Sequence, residues 1–71
     1  MKFSEINRQY EIIMESSESQ HIKATKLARL MTDMEGFFSI PMMKNEEYES
    51  KNRKVMALYR KISRSRVFGE D

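Results

Sequence analysis

The segment from Asn45 to Arg66, NEEYESKNRKVMALYRKISRSR, limits the possible folds more than any other part of the chain. Tyr48, Val55, Tyr59 and Ile62 recur at spacings of seven, four and three residues, with Met56 and Leu58 beside them. At about 100° per residue these positions form the apolar stripe of an amphipathic helix. Arg53, Arg60 and Arg64 fall on the opposite side, flanked by Lys54 and Lys61. Asn45 is a good N-cap, and Glu46, Glu47 and Glu49 in the first turn with basic groups toward the end complement the helix dipole. The pattern predicts one helix over residues 45–66, the longest in the chain, ended by Val67, Phe68 and Gly69, with residues 69–71 frayed.

Such a stripe needs other stripes to bury it, and the preceding sequence supplies two. Phe3, Ile6, Tyr10, Ile13 and Met14 share one helical face, with Ser4 as the expected cap and Ile12 left on the far side, giving a helix over residues 4–16. Ala24, Leu27, Leu30, Met31, Met34 and Phe38 share another, giving a helix over residues 19–35 that stops at Gly36, which takes a left-handed C-cap without a Cβ penalty. Between them ESSESQ, residues 15–20, has serines that compete for backbone hydrogen bonds and favour a break, with Ser17 and Gln20 at capping-box spacing. The expected fold is therefore all-α, a single small domain over residues 1–71 made of three helices. Tyr10, Leu27, Met31, Val55, Tyr59 and Ile62 are expected in its core.

A chain of 71 residues is short enough for this to matter. Domains of about 60 residues bury only about 60% of the surface that the unfolded chain exposes. With no cysteine there is no disulfide staple, and small domains lacking one often gain core by oligomerising. A third helix of about 33 Å would overhang the other two. Its heptad-like positions Tyr48, Val55, Tyr59 and Ile62 then suit a seam with a second copy.

Between the second and third helices lies FFSIPMMKN, residues 37–45. Pro41 disfavours helix at Ile40 and marks a corner, yet the corner holds Phe37, Phe38, Ile40, Met42 and Met43. So apolar a connection is either folded under the helices or presented to a partner. Met42 and Met43 are adjacent and cannot both point inward, so at least one of them is expected to be exposed.

Several functions are disfavoured by what the sequence lacks. His21 is the single histidine, and no pair of acids sits in an apolar stretch that would tune a carboxyl group for acid–base work, so no catalytic residue is assigned. Gly36 and Gly69 are too isolated for a phosphate-binding loop. The glutamates lack calcium-loop spacing and one histidine makes no zinc site, so neither metal nor cofactor nor small-molecule substrate is expected. No apolar run approaches a membrane span, and after Lys2 charge interrupts any export-signal core, which makes the cytoplasm the expected location.

Two surfaces carry functional content. Residues 1–50 hold six basic and nine acidic groups, a balance of −3, whereas residues 51–71 hold seven basic and two acidic groups, a balance of +5. The basic face of Arg53, Lys54, Arg60, Lys61 and Arg64 suits nucleic-acid phosphates, or is a solvated helix face. Asn and Gln for base reading are absent from that face, and the connection before it is too long for a helix-turn-helix. The favoured expectation is a regulatory or adaptor-like protein that binds another protein, or a second copy of itself, through Phe37, Phe38, Ile40, Met42 and Met43. The alternative is a nucleic-acid-binding accessory protein using the basic face.

Overall fold

The computed structural model describes residues 2–66, and every regular element among them is helical. Helix α1 spans Phe3–Glu15, α2 Gln20–Phe37, α3 Glu46–Lys51 and α4 Arg53–Ser65. The expected ending of the last helix at Val67, Phe68 and Gly69, and the frayed tail, lie outside the described residues. Helix α2 is the central element and packs against both α1 and α4, which meet each other more narrowly, while α3 rests on α4. The centre of the core is Ile6 from α1, Leu27 and Met34 from α2, and Ile62 from α4, all essentially inaccessible to solvent.

Helix α1 begins just ahead of Ser4. The Lys2 backbone N–H donates to the Glu5 carboxylate at 3.0 Å, and the Lys2 carbonyl accepts from Glu5 and Ile6. A carboxylate in the first turn serves here in place of a serine cap, and also meets the positive end of the helix. The break after α1 falls where the serines placed it, but Ser19 caps α2, its hydroxyl accepting from the Ile22 N–H at 3.3 Å. Lys26 closes the turn with Nζ 2.7 Å from one Glu18 carboxylate oxygen and 2.8 Å from the other. Hydrogen bonding from Lys26 holds the Glu18 carboxyl below its ordinary pKa.

Helix α2 does not stop at Gly36. It runs on to Phe37, and the left-handed residue is Ser39, with φ 55°. The Ile40 N–H then donates to the Glu35 carbonyl at 3.1 Å, the long bond of a Schellman ending, and Ile40 is buried beside it. The two extra residues bring Phe38 onto the face already formed by Met31 and Met34, where it packs against the core. Burial of Phe38 and Ile40 outweighs the cost of about 1 kcal/mol for a glycine inside a helix.

The expected single helix over 45–66 is two helices, and the longest helix is α2 with 18 residues. Asn52 leaves helical geometry with φ −131° and ψ 49°. Its side-chain Nδ2 donates to the Tyr48 carbonyl at 2.9 Å, so the side chain competes for a group that the helical backbone would otherwise use. With the break, α4 has 13 residues, as many as α1, and the expected overhang is gone. The core face of α4 is the expected one, but burial is distributed differently across it. Met56, Leu58 and Ile62 are buried, while Val55 and Tyr59 are only partly so. The seam expected for a second copy is thereby interrupted at Asn52, and of its four residues Ile62 is buried inside the monomer while Tyr48, Val55 and Tyr59 are partly so.

Candidate functional site

The corner divides into an inner and an outer half. Ile40 is 8% exposed and belongs to the core, and Phe38 is half-buried, so neither is free to form the sticky surface expected of them. Phe37 is 51% exposed, Met43 81%, and Met42 is fully exposed. The Phe38 ring lies 6.5 Å from Phe3, centroid to centroid, and Phe37 meets Phe38 edge-on at 5.1 Å. These three rings run from the core to the surface and hold Phe37 in a defined position, since edge-to-face contacts at this range are favourable. Met42 and Met43 add flexible, polarisable side chains beyond the end of α2.

Helix α3 anchors the far side of the connection. Asn45 caps it through its side-chain oxygen, which accepts from the Tyr48 N–H at 2.9 Å. The Tyr48 hydroxyl in turn donates to the Phe38 carbonyl at 2.7 Å, tying α3 to the end of α2. Burial of the hydroxyl pushes the Tyr48 pKa above its ordinary value. The outer corner is therefore a short exposed arch between two fixed points, the Schellman ending and the cap at Asn45.

The basic face is a second, separate surface. At about 100° per residue, Arg53, Lys54, Ala57, Arg60, Lys61 and Arg64 fill a sector of about 120° on α4, on the far side from Val55 and Ile62. All six are exposed. Arg60 is partly neutralised by Glu49 of α3, with 2.7 Å between guanidinium nitrogen and carboxylate oxygen. Lys61 lies 5.0 Å from the centroid of the Tyr10 ring, a cation–π contact that orders it without removing its charge. Arg53, Lys54 and Arg64 have no carboxylate partner within ion-pair distance among the described residues.

Polar contacts that the sequence did not foretell position this face. The Tyr10 hydroxyl and Ser65 Oγ are 2.9 Å apart, and Ser65 Oγ donates to the Lys61 carbonyl, so Tyr10 donates to Ser65 and ties α1 to the last turn of α4. On the other edge of α4 the Tyr59 hydroxyl donates to the Glu35 carboxylate of α2. Burial, and then this bond to an anion, push the Tyr59 pKa up to about 12. A polar residue at the edge of an apolar stripe was the available signal for Ser65. Nothing local marked Glu35 and Tyr59 as a pair.

Among the described residues no three acidic or histidine side chains gather as metal ligands, and no helix is long and apolar enough to cross a membrane. His21 is exposed near the start of α2. No known protein family, curated protein or solved structure matches the chain.

Proposed function

We propose that this is a small non-enzymatic protein of regulatory or adaptor type, which works by docking another protein on the outer corner formed by Phe37, Met42 and Met43. The observation that carries the proposal is the exposure of all three apolar side chains, Phe37 at the end of α2 and Met42 and Met43 on the arch that follows, with Met42 fully exposed and Met43 81% exposed. Together they offer a few hundred Å² of apolar surface, the size at which patches on monomeric proteins are often functional. A stable interface of any kind needs about 800 Å² from each partner, more than these three side chains supply. A patch of that size suits a weak, transient docking contact, and flexible methionines suit an adaptable one.

The test is affinity capture from the native cell with wild-type protein and with the double variant Met42→Ser, Met43→Ser, after nuclease treatment. A bound protein that persists at about 0.5 M salt, where the Debye length is well under 10 Å, and that disappears with the double variant supports docking at the corner. Unchanged capture by the variant would remove the corner from consideration. Sedimentation of the purified wild type separates the remaining alternative: a dimer dissociated by the same double variant would make the partner a second copy. Both substitutions are at exposed positions outside any helix, so the thermal melt should stay within about 0.5 kcal/mol of wild type.

A further inference from the structure

A different surface carries an inference that goes beyond docking at the corner. From the geometry of α4 we infer that its outer face binds the phosphate backbone of double-stranded nucleic acid without reading its sequence. Helix α4 has five cations and no acid in 13 residues, and all five lie in the same sector. From Arg53 to Arg64 the sector runs about 16 Å along the axis, roughly the rise of four or five phosphates on one strand. Ala57 stands in the middle of the five, so the centre of the ridge is low and a rod of phosphates can approach while the longer side chains grip it from both sides.

The surroundings of the face narrow the kind of polyanion. The apolar side of α4 is spent in the core through Met56, Leu58 and Ile62, which leaves no wedge to enter a lipid surface. Ala57 is the single apolar residue in the exposed sector, so the face lacks the buried aromatic or aliphatic anchor on which protein interfaces depend. No aromatic side chain lies in that sector to stack an unpaired base, because Tyr59 is turned to Glu35 and Tyr10 lies beneath Lys61. No Asn or Gln lies in it either, and Asn52 at its edge is occupied with the Tyr48 carbonyl. Beside it α1 contributes Phe3, whose ring is packed against Phe38, and the half-buried Asn7, in a cleft with Lys54, Ala57 and Lys61. A regular double row of charge that itself carries neither stacking nor base-reading groups matches a duplex backbone.

Glu49 makes the inference testable in both directions, since it holds Arg60 at 2.7 Å and competes with any phosphate for it. With Arg60 engaged, four cations remain, and the slope of log K against log salt should be about −3.6 for DNA. In Glu49→Gln, Arg60 is released, and binding should tighten with a slope nearer about −4.5. The experiment is fluorescence anisotropy with two unrelated labelled 20-bp DNA duplexes and a single-stranded 20-mer, with poly-glutamate and phosphatidylserine-containing vesicles as alternative polyanions.

The expected result is micromolar binding of both duplexes at 50 mM salt, within about twofold of each other and weakened about a hundredfold at 200 mM. The single strand, poly-glutamate and vesicles should bind more weakly. Arg53→Gln, Arg60→Gln, Arg64→Gln together should lose at least tenfold. Met42→Ser with Met43→Ser should bind duplex like wild type, so failure at the corner and failure at this face are read separately. No duplex binding at 50 mM salt would overturn the inference, as would an unaffected triple variant. So would vesicles, poly-glutamate or the single strand binding as tightly as the duplex. Should the triple variant lose its helical circular dichroism, Glu49→Gln decides: no gain in affinity overturns the inference.

Discussion

Ser39 is the one non-glycine residue with positive φ among the described residues, and a side chain there costs roughly 1–2 kcal/mol against sterically free backbone. Three residues earlier Gly36 sits inside α2, where a Cβ would meet nothing within 4 Å. The chain thus has its flexible residue where a stiffer one fits, and a stiffer one where glycine fits. Ser39→Gly should stabilise the fold by about 0.5–1 kcal/mol, the relief of left-handed strain being offset in part by the greater freedom of glycine in the unfolded chain. Gly36→Ala should stabilise it by about 0.8–1 kcal/mol through helix propensity alone. Urea titration checks both; a loss of stability in either variant would show that the ending of α2 is misread. The same pair explains why the end of α2 was not legible in the sequence. Gly36 is the stronger local signal, but Ile40 four residues later is buried and Phe38 half-buried against the core, and local propensity yields to that burial.

At the scale of the element, the decisive residue is Asn52. The apolar spacing from Tyr48 to Ile62 is continuous and reads as one helix, yet the pair Glu49 and Arg60 shows why one helix cannot be present. Residues 11 apart on a straight helix are separated by about 16 Å along the axis, whereas these two side chains meet at 2.7 Å. The turn at Asn52 folds α3 back toward α4 and onto the end of α2. An asparagine in the middle of a polarised helix was the visible signal, and it was masked by the regular period on either side. The first two helices, apart from the end of α2, were legible nearly to the residue because their stripes and their serine-rich break agree. Helix α3 has six residues, none buried, and a helix so short is not stable in isolation. It is held chiefly by the Asn45 cap, the Glu49–Arg60 pair and the Tyr48 hydroxyl bond to Phe38. Tyr48→Phe removes the last of these and should cost about 0.5–1.5 kcal/mol, confined to α3. Amide hydrogen exchange should then accelerate roughly two- to tenfold across residues 46–51 and stay unchanged in α2. Uniform acceleration through all helices would show instead that α3 unfolds only with the whole molecule.

The whole molecule is thin, with principal extents of 37 × 28 × 16 Å. Its smallest dimension is little more than the 10–12 Å diameter of one helix with side chains, so burial is deepest where α1, α2 and α4 converge. Ile6, Leu27, Met34 and Ile62 occupy that convergence, and Val55 and Tyr59 lie toward its margin. Periodicity alone placed Leu27, Val55 and Ile62 in the core as equals, because it gives the face of a helix and not the depth of each residue on that face. The same limit applied to the corner: its apolar composition was plain, but only the course of the chain separates Ile40 within from Met42 without. A domain of 71 residues has a total stability of about 4–10 kcal/mol at typical values per residue. Leu27→Ala and Ile62→Ala should each remove about 2–5 kcal/mol, since the surrounding helices cannot fully close the space. Val55→Ala, at a half-buried position, should remove about 1 kcal/mol. Urea midpoints for the three variants should therefore fall in two groups, with Leu27→Ala and Ile62→Ala close to unfolded without denaturant. If Val55→Ala proves as damaging as Ile62→Ala, Val55 lies as deep as Ile62 and the placing of Val55 at the margin of the core is wrong.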